Sequence, residues 1–415
     1  SNWALVINDS MWNVKFKPGT PETVYAASRN TVYRSTNTGA NWTSSGSIGN
    51  SIRIALSVTP ANPNFVVLVS SNSEGGFNGL YASSNSGSSY VLRSSSPNIL
   101  SSKGDGSGTK GQGWYDLCIT VSPTNANVMY IGGVNLWKST NGGSTWAIVN
   151  YWDFAQPPPG AQVVHADKHC LVWQNNTTLF QGNDGGIYRS TNSGTTWTDL
   201  SNTLVNSQLY RIGVSQADNK VLCGLQDNST KLRNANGSWV EAVPTGDGME
   251  CAIHPTNPNI MYTESYYGEI KRSTNGGATW VDIQNNIPDT PKGDWVTPFQ
   301  ISPLNSSTLF AGYNDVYRST NQGNSWVAIS SNLSPQEKLT SLVVAPSNAN
   351  TIYTANSGAI FRTTNGGSSW VNVTGNLPVS NATTITFLAV DPTNANRIYA
   401  TMGRYQSGAK VFRST

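Results

Sequence analysis

A nine-residue segment returns along the whole chain and restricts the folds open to it. It reads Arg34-Ser-Thr-Asn37-Thr-Gly39-Ala-Asn-Trp42, and again Lys138-Ser-Thr-Asn141-Gly-Gly143-Ser-Thr-Trp146. Further copies run Arg189–Trp197, Arg272–Trp280, Arg318–Trp326 and Arg362–Trp370. Ser83–Tyr90 is a variant closed by tyrosine, Leu232–Trp239 is a decayed copy, and Arg413-Ser414-Thr415 begins another. The closing aromatics stand 41 to 56 residues apart. A period of that length marks supersecondary units that bury their apolar faces only against neighbouring copies.

The content of one unit is clearest over residues 339–377. The apolar run Ser341–Ala345 leads into the turn cluster Pro346-Ser-Asn-Ala-Asn350, then Thr351–Thr354, Ala359–Arg362, the repeated box and Trp370–Val373. Four short strands joined by tight turns form one antiparallel sheet, and a succession of such sheets is a β-propeller. The chain is therefore expected to be all-β, a propeller of four-stranded antiparallel blades forming one domain over residues 1–415. Eight units are closed by Trp or Tyr and a ninth lacks its fourth strand. Trp3-Ala-Leu-Val-Ile-Asn8 reads like the fourth strand Trp146–Asn150, so it is expected to close the ninth blade. A part of a tandem-propeller protein is the alternative. The start at Ser1-Asn2-Trp3 is neither an initiator Met nor a signal peptide, and the chain is read as a piece of a longer secreted protein.

Each box residue has a mechanical role. The glycine supplies the positive φ of a tight turn. The asparagine side chain can accept from nearby backbone amides. All seven clear copies carry Asn, which keeps the acceptor oxygen and removes the charge. The boxes are thus read as structural. This pattern resembles the Asp-box (BNR) repeat of sialidases, sortilin-type receptors and xyloglucan-degrading glycosidases. The resemblance covers nearly the whole chain and implies the fold, whereas the function differs among enzymes, receptors and adhesins that share it.

Charged residues make up 11% of the chain and the net charge is +3, with no Lys/Arg cluster. Nucleic acid and anionic membranes are poor partners for such a surface. No apolar run approaches the ~20 residues of a membrane span. The four cysteines, Cys118, Cys170, Cys223 and Cys251, form no C-x-x-C pair. They are read as buried thiols, with bridges between neighbouring strands as the alternative. The Ser/Thr/Asn/Gly-rich, charge-poor composition together with the resemblance implies an extracellular or cell-surface protein, most simply a bacterial one.

Long insertions precede three units: 96–113, 153–164 and 286–294. The loops leading into first strands, and those joining second to third strands, are expected on one face. Polar residues gather there in the middle units: His165, Asp167 and His169, Asp184 of Asn-Asp-Gly-Gly, Asp227 of Gln-Asp-Asn, Asp247 of Gly-Asp-Gly, and Glu264. These seven are the candidate ligand-binding residues. Period-two alternation puts His165, Asp167 and His169 on one strand face. A zinc site with Asp184 as a further ligand is one reading and a hydrogen-bond network another. No cofactor is expected, with Ca²⁺ in a carboxylate-lined pocket the alternative. Trp114, Tyr115, Tyr266, Tyr267 and Trp295 lie near the same loops and suit sugar stacking, with packing between blades the competing use.

Glycoside hydrolysis needs two carboxyl groups. The resemblance to xyloglucan-degrading enzymes implies one Asp in the second-to-third-strand loop of the first blade, in a Thr-Asp-x-Gly-Gly context. The matching stretch here, Tyr25–Tyr33, has no carboxylate. The arginine triad and Phe-Arg-Ile-Pro start of sialidases are not apparent either. The sequence therefore leans away from catalysis. Its first reading is a non-catalytic secreted or cell-surface propeller that binds a glycan or an extracellular protein, alone or with further domains of the same chain. The alternative is a polysaccharide-degrading glycoside hydrolase using Asp184 with Asp227 or Asp247.

Overall fold

The computed structural model describes residues 4–153, 155–204, 207–244, 246–404, 407–408 and 410–415. Nine antiparallel sheets follow one another along the chain, the blade succession of a β-propeller. Seven have four strands in simple meander order. Blade three gains a fifth strand, Gln162–Val163, which pairs parallel to Ala147–Tyr151 as its proline-bearing insertion doubles back. Blade nine has three strands among the described residues, Ile385–Asp391, Asn394–Met402 and Val411–Ser414. Of the segment expected to close it, Trp3 lies outside the described residues and residues 4–8 carry no strand.

The chain divides into two compact units, Ser1–Asn206 and Ser207–Thr415. Blades one to four make up the first and blades five to nine the second. Within unit one the first strand of each blade lies beside the first strand of the next: Asn13–Phe16, Arg53–Val58, Cys118–Val121 and Lys168–Trp173. The apolar core is layered between successive blades. Ile54, Leu56, Val66 and Leu68 pack with Tyr25 and Val32 between blades one and two. Tyr262, Ile270 and Ile283 pack with Phe299 and Leu309 between blades six and seven. Each fully buried aliphatic side chain contributes about 1.5–3 kcal/mol to that layering.

The repeated box locks each layer. In blade three the Ser139 hydroxyl donates to Asn141 Oδ1 at 3.0 Å and accepts the Gly143 amide at 2.9 Å. Asn141 Oδ1 also accepts the Thr145 amide at 2.9 Å. The box then grips its neighbour through the glycine. A Cβ on Gly194 would lie 2.8 Å from the Tyr130 ring, whose hydroxyl donates to the Ser193 carbonyl at 2.6 Å. Tyr25 meets Gly87 in the same way, whereas Gly143, Gly277, Gly323 and Gly367 close on Leu80, Leu232, Ile283 and Ile329, so each of these boxes seats an apolar or aromatic side chain of the preceding blade.

The four cysteines are free thiols. Cys118, Cys223 and Cys251 are buried, as a small hydrophobe should be, but Cys170 is exposed. No helix among the described residues is long and apolar enough to cross a membrane.

Candidate functional site

The polar residues of unit one gather on the loops of blades three and four. Residues 96–113 do not form a loose insertion. Ile99 and Leu100 are fully buried in the core between blades two and three. Asn98 Nδ2 donates to the carbonyls of Gly108 and Lys110 at 2.8 and 3.2 Å. So anchored, the segment delivers Gln112, Trp114, Tyr115 and Asp116 to the start of blade three. Arg53 Nη1 donates to the Trp114 and Tyr115 carbonyls at 3.2 and 2.6 Å.

Asp184 stands in the turn between Leu179–Asn183 and Gly186–Ser190 of blade four. Side chains address both of its oxygens. His169 Nε2 lies 2.6 Å from Oδ1, and the Tyr115 hydroxyl donates to Oδ2 at 2.8 Å. The Tyr115 and His169 rings meet edge to face at 4.9 Å. The Asp184 side chain keeps 12% of its surface exposed.

The common strand face expected for His165, Asp167 and His169 does not form. Alternation needs extended backbone, and Asp167 has φ 61°, in the left-handed region. The strand begins only at Lys168. A bulge follows at once: Lys168 pairs with Asn183 and Cys170 with Gly182, so His169 is the extra residue. The His165 ring packs on Gly185, where a Cβ would lie 2.4 Å from its Cγ. Asp167 is buried and accepts Gln112 Nε2 at 2.9 Å. The three residues thus face three different neighbours and present no shared metal-binding edge.

Two carboxylates of this unit still converge, with oxygens of Asp167 and Asp184 within 4.8 Å of each other. Asp116, absent from the sequence-based candidates, lies beside Asp167. It is fully buried, and neither of its carboxyl oxygens receives an N–H or hydroxyl donor. Burial, reinforced by Asp167, pushes its pKa up to about 9. Asp116 therefore keeps its proton at neutral pH, and Asp167 is the neighbour that can accept a hydrogen bond from it. Burial raises the Asp167 pKa as well, opposed by that hydrogen bond. Lys168, also fully buried, donates from Nζ to the Val134 and His165 carbonyls at 2.8 and 2.7 Å. Burial brings it down to about 7 against the pull of Asp167 and Asp116. The available sequence signal was an acid directly after an aromatic pair, Trp114-Tyr115-Asp116, at the end of an insertion.

Unit two uses its acids differently. Asp247 is buried; its Oδ1 accepts the Asp227 amide at 2.6 Å and its Oδ2 the Tyr210 hydroxyl at 3.5 Å. Its own amide donates to the Tyr266 hydroxyl at 2.9 Å. Asp227 sits at φ 58° in the turn between Val221–Leu225 and Thr230–Arg233. Glu264, expected to meet ligand, is fully buried instead. Its Oε1 accepts the amides of Gly268 and Thr297 at 3.0 and 2.8 Å, and its Oε2 that of Glu250 at 3.3 Å. Burial holds its pKa well above the usual carboxylate range. Glu264 is a staple between loops. The aromatics beside it are open: Trp295 is 38% and Tyr267 45% exposed.

No protein-family model matches the chain. The xyloglucanase Xgh74A of Acetivibrio thermocellus is 26% identical over 248 residues, covering 45% of this chain and 29% of the relative. A xyloglucanase of Hypocrea jecorina is 26% identical over 232 residues, covering 43% of this chain and 28% of its own length. The chain thus spans less than a third of the curated relatives it matches. Among solved structures, the GH74 xyloglucanase from Xanthomonas campestris aligns over 99% of this chain and 73% of its own, at 15% identity and TM-score 0.37. The lean away from catalysis, drawn from the acid-free loop of blade one, is overturned by these relatives, which are named as enzymes. The blade-one loop was one of several of its type: the second-to-third-strand loop of blade four does hold an acid and two glycines, Asn183-Asp184-Gly185-Gly186. The chain is a β-propeller with sequence relatives among the xyloglucanases.

Proposed function

We propose that this protein is a polysaccharide-cleaving glycoside hydrolase of the Asp-box propeller type, working outside the cell on xyloglucan or a closely similar glycan. The observation that carries the reading is the sequence likeness to xyloglucanases. The geometry of unit one supports it. Glycoside hydrolysis uses one carboxyl group to protonate the leaving oxygen and a second to activate water or to attack the sugar. Asp167 is the group suited to hold the proton, because burial raises its pKa and outweighs the opposing hydrogen bond from Asp116. Asp184 suits the second role. Its oxygens are oriented by His169 and Tyr115, and it lies within 4.8 Å of Asp167. The buried Lys168 offsets the charge that Asp167 acquires once its proton has gone to the leaving group.

The test is release of reducing ends from purified xyloglucan by the whole chain. Asp184→Asn is expected to lower the rate at least about 100-fold, the scale of a general acid or base, with an unchanged unfolding midpoint. A wild-type chain that releases nothing from xyloglucan, or an Asp184→Asn variant as fast as wild type, overturns the assignment.

A further inference from the structure

A second surface, in unit two, is built with more care than packing requires. Tyr266, Tyr267 and Gly268 form a single turn after the strand Met261–Ser265. Tyr267 is held at φ 60°. That region is unfavourable for a bulky aromatic and persists only where the surroundings over-determine it. Here they do. Glu264 takes the Gly268 amide, the Tyr313 hydroxyl donates to the Gly268 carbonyl at 2.7 Å, and the Tyr267 carbonyl accepts the Gly293 amide at 2.7 Å. Glu264 also takes the Thr297 amide, so one buried carboxyl ties the Tyr267 turn to the segment bearing Trp295.

The indole is fixed as firmly. Trp295 Nε1 donates to the Tyr210 hydroxyl at 3.2 Å. Its ring lies 5.0 Å from Tyr266 at 41° and 5.3 Å from Tyr267 at 77°. Two part-exposed aromatic rings are thus immobilised on a strained, stapled base. A burial-driven cluster would hide these rings; this one spends a left-handed tyrosine and a buried acid to present them. Preorganised, amphipathic rings bind ligands without the entropy loss of flexible side chains.

We propose that Trp295 and Tyr267, two rings set at 77° to each other, form an aromatic corner in which a pyranose ring of a neutral polysaccharide stacks its C–H face on one ring and abuts the other. The choice of a polysaccharide rests on the function proposed above. A neutral chain is chosen because Asp247, whose amide meets the Tyr266 hydroxyl at 2.9 Å, and Glu269, directly after the Tyr266–Gly268 turn, place acids rather than bases beside the rings. Glu264 is a positioning residue that never meets the sugar.

The experiment measures the dissociation constant of the whole chain for a xyloglucan oligosaccharide, in an Asp184→Asn background so that the ligand is not consumed. Tyr267→Gly is the informative variant, since glycine accepts the left-handed backbone and only the ring is lost. The expected result is binding weakened about tenfold for Tyr267→Gly and more for Trp295→Ala, at an unfolding midpoint unchanged for Tyr267→Gly. An oligogalacturonate is expected to bind far more weakly than the neutral chain. Wild-type affinity in both variants, no binding by the parent, or equal binding of the galacturonate overturns the proposal. Xyloglucan cleavage with unaltered affinity in the variants removes the aromatic corner and keeps the hydrolase. Ring-dependent binding without cleavage does the reverse.

Discussion

The candidate acids of unit one and those of unit two are oppositely used. Asp184 and Asp167 are contacted by side chains: an imidazole, a phenol, a carboxamide and another carboxyl group. Asp247 and Glu264 take backbone amides, and those amides belong to the turns they pin. An oxygen bound to a main-chain N–H cannot be released without breaking the loop, so such an acid is fixed for good. An oxygen bound to a histidine or a tyrosine can exchange that partner for substrate during a reaction. Under the proposed function, chemistry belongs to the first kind of acid and architecture to the second.

The contrast is sharpest in stability. Glu264→Ala strands the amides of Gly268, Thr297 and Glu250, each worth about 1–3 kcal/mol when left buried and unsatisfied. The expected loss is about 3 kcal/mol or more in urea unfolding, against less than about 1 kcal/mol for Asp184→Ala, whose partners can turn to water. Equal losses in the two variants would erase the distinction.

The next effect depends on pH. Asp116 has its folded-state pKa raised to about 9 from an ordinary 3.8. The folded state therefore holds a proton that the unfolded chain gives up, and the stability it contributes is full below about pH 4 and falls as pH rises toward 9. Lys168, lowered to about 7 from 10.5, acts in the other direction between those values. From pH 4 to 7 Asp116 stands without that opposition. Asp116→Asn, neutral throughout, is expected to flatten the fall in unfolding midpoint over pH 4 to 7 and to gain on the order of 1–3 kcal/mol over wild type near neutrality. Parallel midpoint curves for the two proteins would show that Asp116 titrates normally.

How much of this could be read beforehand follows from how far each cause lies along the chain. The hairpin corners were legible because Ser139, Asn141, Gly143 and Thr145 satisfy one another within a few residues. The place of Asp184 in the turn between two strands of blade four was legible from its Asp-Gly-Gly sequence, but its pairing with Tyr115, 69 residues away, was not. The staple role of Glu264 was not, because Thr297, whose amide it takes, is 33 residues away. Nor was the break in the His165–His169 alternation. That break comes from Asp167 turning left-handed and Lys168 reaching the Val134 carbonyl, 34 residues back. Asp116 gave no more than an acid after two aromatics, since its pKa comes from burial that only the neighbouring blades create.

The finest test applies one substitution to both regions. Tyr115 donates its hydroxyl to Asp184 at 2.8 Å, and Tyr210 donates to Asp247 at 3.5 Å while accepting from Trp295. Tyr→Phe removes one oxygen in each place and leaves the ring. At Tyr115 the lost hydrogen bond orients the carboxylate proposed to react, so the change is expected in the rate, about tenfold, the equivalent of ~1.4 kcal/mol, with little change in unfolding. At Tyr210 the partner acid is already held at 2.6 Å by the Asp227 amide, so the change is expected in stability, about 0.5–1 kcal/mol. Reducing-end assays and urea unfolding on both variants read the two quantities separately. If Tyr115→Phe shifts only the unfolding midpoint, then Asp184 is as architectural as Asp247, and the two units use their acids alike.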